Sequence, residues 1–488
     1  MTPRVTSLTL STPITSHVFG NAHMLDLNDM YYFVQVVDHK SITAAARSLA
    51  LPKSTISYRV NQLEAQLGVR LINRTSRQFA VTEIGAEFYA HARSMLQEAL
   101  AAESVVLLSN DGVLPAAPVR RIALIGPNAD SSDALMGCYS FVNHVLAHHP
   151  GTPAGIEIPT LKDALRAEYP DAAVETVAGC DVEGDDPSGI AEAVATARGA
   201  ELAVVVVGDR AGLFGRGTVG EGNDVDDLEL PGVQRQLVEE VIATGTPVVM
   251  VVLSGRPYAI GWALDGVERP AAVLQAFFPG EEGADAIAGI VSGRTVPSGR
   301  LPVSLPRSAG AQPFTYLHPK LGGRSDITSA DPTPVRSFGF GLSYTTFSHE
   351  DIEVAEQSAT TDALTVSVTV RNTGRVAGAD VVQLYGHDVV GSTPRPVAQL
   401  LAYHRITLGA GESARVRFEV PASRFAYAGR DGRRAVEPGR VDLWVGPSSA
   451  DRETVASVEF TGPVHVIEPD EPRIATADVV TLVGATSA

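Results

Sequence analysis

A chain of 488 residues is too long for one hydrophobic core and predicts about three domains. Its 44% apolar and 19% charged residues are ordinary for a soluble globular protein and argue against bulk disorder. No apolar run approaches the roughly 20 residues that span a bilayer, and two cysteines, Cys138 and Cys180, are too few for a disulfide framework and read as buried thiols. The net charge of −18 is uneven: residues 1–100 hold nine Lys/Arg against seven Asp/Glu, and the remainder 29 against 49. An acidic body repels nucleic acid, so contact with DNA is expected only from the N-terminal part.

Residues 1–24 are rich in Ser and Thr and lack an apolar core followed by a cleavage site. They read as a disordered leader rather than a signal peptide, which places the chain in the cytoplasm. A first domain is expected over 25–82. Asn28 or Asp29 would cap a helix whose apolar face holds Met30, Phe33, Val34 and Val37. Ser41 would cap a short second helix containing Ala44, Ala45, Ala46 and Leu49, which Leu51-Pro52 breaks. A third helix starts near Ser54, with Ile56, Val60, Leu63 and Leu67 at helical spacing and Gly68 as its stop. Small alanines let the third helix cross the second closely, the packing of a helix-turn-helix. The other face of the third helix carries Lys53, Ser54, Ser57, Tyr58, Arg59 and Asn61, side chains suited to base edges and phosphates in a major groove. Next come a strand, a turn with Arg74 and Arg77, a second strand and a helix capped by Thr82, which together make a winged helix-turn-helix.

These residues resemble the DNA-binding domain of LysR-type transcriptional regulators over about 25–100. The resemblance is carried by Ser41-Ile42-Thr43-Ala44-Ala45-Ala46, Ser54-Thr55-Ile56-Ser57, Leu67-Gly68-Val69-Arg70-Leu71, Arg74-Thr75-Ser76-Arg77 and Thr82-Glu83-Ile84-Gly85. It implies that Lys53, Ser54, Ser57 and Arg59 face the groove of double-stranded DNA and that Arg74 and Arg77 meet the backbone. It also implies that a long helix over 83–102 makes a homodimer. The family often has Arg where Tyr58 stands, a departure that bears on base preference. The effector domain usual in such regulators does not follow.

From about 104 to 335 strands and helices alternate. Strands are predicted at 122–125, 173–177, 203–207, 248–253 and 272–275, with helices near 160–169, 189–198, 233–244 and 284–291. Unbroken apolar runs mark strands buried on both faces, hence an α/β domain with a mostly parallel sheet covered by helices. Chemistry in such sheets gathers at loops leaving the strand ends, and the longest is 208–231. Its glycine run, Gly215, Gly217 and Gly220, is displaced from the strand and no helix follows, so it is not a dinucleotide fingerprint. Glu221 lies between Gly220 and Gly222, which let the backbone present its carboxyl. Nearby Asp224, Asp226 and Asp227 would raise its pKa by repulsion, as suits a general acid. No cofactor or metal site is expected.

The stretches ESVVLLSNDGVLP, ALIGPNADS, VVVVGDRAGLFGRGTVGEG, VVMVVLSGRPYAIG, QAFFPGEEGADAIAGIVSGRTVPSGRLPVSLP and FGFGLSYTTF resemble the C-terminal part of family 3 glycoside hydrolases over about 101–463. The resemblance makes Glu221 the catalytic acid/base and a carbohydrate the candidate ligand. The family's nucleophile is an Asp on a preceding (β/α)₈ barrel. Retaining hydrolysis needs two carboxyls about 5–5.5 Å apart, and no stretch before residue 101 holds the ~200 residues of such a barrel. Ser325-Asp326 gives no reason to be that nucleophile. Phe340 stands where many relatives have His, and acids replace the Arg that usually follows the Glu-Gly pair.

Over 336–463, apolar residues alternate with polar ones at 364–370, 416–420 and 441–445, separated by turns at Asn372–Gly374, Gly409–Gly411, Asp431-Gly432 and Pro438-Gly439. This predicts an antiparallel β-sandwich, similar to the fibronectin-III-like domain that ends many family 3 hydrolases. Residues 464–488 read as a flexible tail. Met95 to Glu103 fits both resemblances, so the two parts would join through one continuous helix. Three readings stay open on the sequence: a DNA-binding regulator with a hydrolase-derived body that is inactive as a glycosidase alone, an O-glycosyl hydrolase completed by a separately supplied barrel, and a fusion without joint function.

Overall fold

The computed structural model describes residues 26–73, 79–149, 151–310 and 315–482. The chain divides into two compact units, residues 1–97 and 98–488.

In the first unit, α1 (Leu27–Asp38) begins at Asp26, whose carboxylate accepts the Asn28 amide at 2.8 Å. The cap thus lies two residues before Asn28 and three before Asp29, and Asp29, inside the first turn, is buried. Ser41 caps α2 (Ile42–Ser48) through the Ala44 amide, and α3 (Lys53–Leu67) ends at Gly68 with φ 68°. Both agree with the sequence pattern. Phe33, Val36, Ala45, Ala46, Ile56, Val60, Leu63 and Leu71 form the core, and the two alanines leave room for α3 to approach α2. β1 (Ile72–Asn73) pairs antiparallel with β2 (Ala80–Val81), Ile72 opposite Val81. The buried Glu64 carboxylate on α3 accepts the amides of Leu71 and Ile72 at 2.9 and 3.0 Å, fixing this strand pair to the helix. Thr82 then caps α4 (Glu83–Ser104), one continuous helix across the junction as expected.

The second unit opens with a six-stranded sheet. Its strands are β3 (Val106–Asn110), β4 (Arg121–Ile125), β5 (Ala173–Val177), β6 (Leu202–Gly208), β7 (Val248–Leu253) and β8 (Ala272–Gln275). They lie in the order β3-β8-β7-β6-β4-β5, all parallel except the β3–β8 edge pair. Successive residues of β6 and β7 are all buried because helices cover both faces. α5 (Leu161–Glu168) and α9 (Gly283–Ser292) cover the face holding Leu124, Val204, Val206, Val249 and Val251. α6 (Ile190–Arg198), α7 (Gln234–Ile242) and α8 (Gly261–Asp265) cover the face holding Ala123, Val205, Val207, Met250 and Val252. Residues 336–342 still belong with this sheet: the amides of Leu305, Leu301 and Leu342 bond the carbonyls of Arg336, Phe340 and Leu107.

The sandwich follows. One sheet has the order β10-β18-β17-β12-β13 and the other β20-β14-β11-β9. In chain order the strands are β9 (Phe347–Val354), β10 (Gln357–Ala359), β11 (Leu364–Asn372), β12 (Gly378–Asp388), β13 (Gln399–Leu408) and β14 (Ser413–Val420). Then come β15 (Tyr427–Ala428), β16 (Arg434–Val436), β17 (Gly439–Gly446), β18 (Thr454–Thr461), β19 (His465–Val466) and β20 (Thr476–Leu482). Leu364, Val366, Val368 and Val370 of β11 meet Val416, Phe418 and Val420 of β14 and Leu443 and Val445 of β17 in the core, the alternation seen in the sequence. The segment read as a flexible tail contains β19 and β20. Seven residues of β20 pair with β14, and their mostly exposed side chains explain why no apolar alternation marked the strand.

A buried charged cluster joins sheet domain and sandwich inside this unit. Arg300 Nη2 donates to Asp380 Oδ1 at 2.7 Å, and His349 bridges Asp380 Oδ2 (2.9 Å) and Glu453 Oε2 (2.7 Å). Burial alone would lower the His349 pKa, but hydrogen bonds and charge from Asp380 and Glu453 outweigh it and push it up to about 9. A raised pKa stabilises the fold fully below about 6.5, and the gain is lost as pH rises through about 9. Thermal unfolding of the full chain is therefore expected to show a fall in Tm between pH 6.5 and 10 that His349→Gln flattens. Asp380→Ala, which strands Arg300 and His349, is expected to cost about 3–5 kcal/mol.

Candidate functional sites

The polar face of α3 lies open. Lys53, Ser54 and Tyr58 are exposed and Ser57 is half-buried; Ser54 and Tyr58 lie on the side of α3 away from Ile56, Val60 and Leu63, Ser57 at its edge, and Lys53 projects from the first turn. Arg59 behaves differently. Its Nη1 lies 3.1 Å from Asp29 Oδ1 and 3.4 Å from Asp26 Oδ2, an ion contact rather than an aligned hydrogen bond to Asp29, and its guanidinium sits 6.0 Å from the Tyr32 ring centroid. Burial raises the pKa of Asp29, and Arg59 opposes that rise. No local pattern announces this tie, since Asp29 at the start of a helix looks like a cap alternative to Asn28. Arg74 and Arg77 lie outside the described residues. On α4, Ile84 and Met95, eleven residues and about three turns apart, are both exposed.

In the second unit, the loop after β6 is folded on itself. The Gly212 amide bonds Val219 O (2.9 Å), Thr218 N bonds Arg210 O (2.8 Å), and Phe214 N bonds Glu221 O (2.8 Å). Gly220 has φ 125°, and a Cβ there would overlap the Gly212 carbonyl oxygen, so the approach requires glycine. Beneath the loop lies Asp209, fully buried at the end of β6. Its carboxylate accepts Thr218 Oγ1 (2.7 Å), the Gly255 amide (3.0 Å) and the Tyr258 hydroxyl. Burial and the Asp209 charge push the Tyr258 phenol far above its ordinary value. Asn223 Nδ2 bonds the carbonyls of Gly212 and Arg216, both at 3.1 Å, and Arg256 donates to those of Thr218 and Asn223.

This frame presents Glu221 at the surface, where its carboxylate accepts the Tyr139 hydroxyl. That hydrogen bond raises the Tyr139 pKa. Tyr139, 82 positions earlier in the chain, carried no sequence signal. Asp209 had one: a charged residue directly after an unbroken buried run. Asp224, Asp226 and Asp227 are exposed, and Asp227 accepts the Glu229 amide at 2.9 Å. Asp326 is exposed in its loop. A cavity of about 280 Å³ opens between the ends of β4 and β6, lined by Asn128, Ser131, His148, Arg210 and Arg216; Glu221 stands outside it.

The fold is that of a multidomain protein with a hydrolase-type α/β domain and a fibronectin-III-like sandwich. Residues 105–344 match the glycosyl hydrolase family 3 C-terminal domain, and 380–449 the fibronectin type III-like domain. Residues 27–86 match the bacterial regulatory helix-turn-helix protein family, lysR type. A β-xylosidase of Formosa agariphila is 35% identical over 367 residues, 73% of this chain and 49% of the relative. A periplasmic β-glucosidase of Salmonella typhimurium is 32% identical over 72% of this chain and 48% of its own length. A solved β-glucosidase of intestinal bacteria, involved in saponin metabolism, superposes with a TM-score of 0.71 at 30% identity, covering 86% of this chain and 60% of that one. The chain spans about half the length of the curated relatives it matches. Among the described residues, no helix is long and apolar enough to cross a membrane.

Two substitutions test these geometries. Thr218→Val removes one of the donors to a fully buried carboxylate; it is expected to cost about 1–3 kcal/mol and to speed amide exchange across 210–223, measured by hydrogen exchange. Arg59→Ala leaves Asp29 buried without its cation. With Arg59 over a third exposed, the expected loss is that of a stranded buried acceptor, about 1–3 kcal/mol, seen as a lower thermal midpoint for that unit alone.

Proposed function

We propose that the chain is a DNA-binding regulator whose N-terminal unit is a winged helix-turn-helix, α3 entering the major groove. The observation that carries this is the open polar face of α3, with Lys53, Ser54, Ser57 and Tyr58, on a stretch that matches the lysR-type helix-turn-helix family. Arg74 and Arg77, which lie outside the described residues, are assigned to the phosphate backbone by the same reading. The exposed Ile84 and Met95 on one face of α4 support a homodimer through residues 83–102, which would place two α3 helices on a two-part site. The acidic remainder leaves DNA contact to this unit, and the reading places the protein in the cytoplasm.

In the hydrolase-like body, Glu221 is the acid/base carboxyl and a carbohydrate the ligand class. Retaining hydrolysis sets an acid and a nucleophilic carboxylate about 5–5.5 Å apart across the scissile bond. Residues 26–97 form the helical unit and 105–344 the α/β domain, so no stretch between them offers a barrel to carry that nucleophile. Glu221 alone would protonate a leaving oxygen without an opposing carboxylate to stabilise the oxocarbenium-like centre. We therefore read the body as inactive by itself; the β-xylosidase and β-glucosidase relatives favour, as second reading, hydrolysis with a barrel added from another chain.

The purified full chain is expected to bind duplex DNA with affinity that falls steeply as salt rises, each phosphate contact adding about one unit to the log–log slope. Lys53→Ala is expected to weaken binding at low salt and reduce that slope by about one. Failure to bind any duplex at low salt would sink the DNA reading. On aryl β-glucosides and β-xylosides no turnover above buffer is expected; turnover that Glu221→Gln abolishes would overturn the reading of the body.

A further inference from the structure

We propose that Tyr58, and not Arg59, is the α3 side chain that sets base preference, its ring lying against the 5-methyl group of a thymine in the major groove. The inference rests on the DNA-binding reading and adds what is read. Tyr58 is 60% exposed, one turn from Ser54 on the side of α3 away from the core with Ser57 at its edge, and among the described residues no hydrogen bond or ring contact engages it. Arg59, the neighbouring cation, is held by Asp26 and the buried Asp29 and lies over Tyr32. Turning it into the groove would leave Asp29 desolvated beside no cation, so the guanidinium that would give bidentate bonds to guanine is engaged elsewhere. At Tyr58 the groove meets an aromatic ring with one hydroxyl, which cannot make the paired donation that O6 and N7 of guanine accept. An apolar ring instead gains from covering the one apolar group on a major-groove edge, the thymine methyl. Ser54, one turn earlier on the helix, is placed for a phosphate or an adjacent base edge.

The test enriches duplexes from a randomised pool with the full-length chain, its Tyr58→Arg variant and its Tyr58→Phe variant. The enriched thymine is then replaced by deoxyuridine, which lacks only the methyl. Wild type is expected to select thymine at one position per half-site and to lose about three- to fivefold affinity on the deoxyuridine duplex. Tyr58→Phe should keep both properties. Tyr58→Arg should shift that position to guanine, with roughly tenfold or greater discrimination, and ignore the loss of the methyl. A wild-type affinity unchanged by deoxyuridine, or a Tyr58→Arg variant that still selects thymine, overturns the inference while the DNA reading stands. Absence of binding to every duplex overturns both.

Discussion

The loop that presents Glu221 depends on one desolvated carboxylate. Asp209 sits at the end of a strand whose every residue is buried, where an ion without donors would cost several kcal/mol. Its demand for hydrogen bonds is met by Thr218, Gly255 and Tyr258, which come from the returning half of the loop and from the turn after β7. Meeting that demand folds residues 210–223 back onto the sheet, and Arg256 and Asn223 occupy the carbonyls that the fold leaves over. The exposed carboxyl is thus a by-product of a buried one. The position of a surface group is fixed by electrostatics beneath it.

The N-terminal unit uses the same device on a smaller scale. Glu64 is buried on α3 and accepts the two amides at the start of β1, so the strand pair and the helix share one anchor. Asp29 is buried on α1 and holds Arg59. Both carboxylates fall on the core side of their helices, and both leave the opposite side of α3 clear. The exposed side of α3 is kept free by placing these anchors behind it.

The sequence disclosed what periodicity encodes. Five strands of the α/β sheet were readable within a residue or two, four of them from short apolar runs and β5, with Glu175 and Thr176, from its place in the strand–helix alternation; β11 and β14 were readable from strict alternation and β17 from Val441, Leu443 and Val445. β3 was missed: its antiparallel edge pairing with β8 is a long-range choice that the four-residue apolar run 105–108 does not announce. β20 was missed for the opposite reason, since its side chains are exposed and only its backbone pairs. Glycine spacing and residue type made the exposure of Glu221 and of the polar α3 side chains legible. The residues that hold them in place were not. Tyr139, Thr218 and Tyr258 reach Glu221 and Asp209 through folding, across separations that no local pattern records, and the engagement of Arg59 followed from Asp29 turning inward.

β20 has a further consequence for how the sandwich is assembled. It adds to β14 across an intervening stretch that contains β15 to β19, so the four-stranded sheet acquires its outer strand only after most of the opposite sheet has been synthesised. Until then the N–H and C=O groups along that side of β14 form an open edge, a template for strands of other molecules. Closing a loop of this length adds little to the equilibrium cost but delays a contact of high sequence separation. During synthesis, the nascent sandwich therefore passes through a stage in which its own last strand competes with neighbouring chains for the same row of hydrogen bonds.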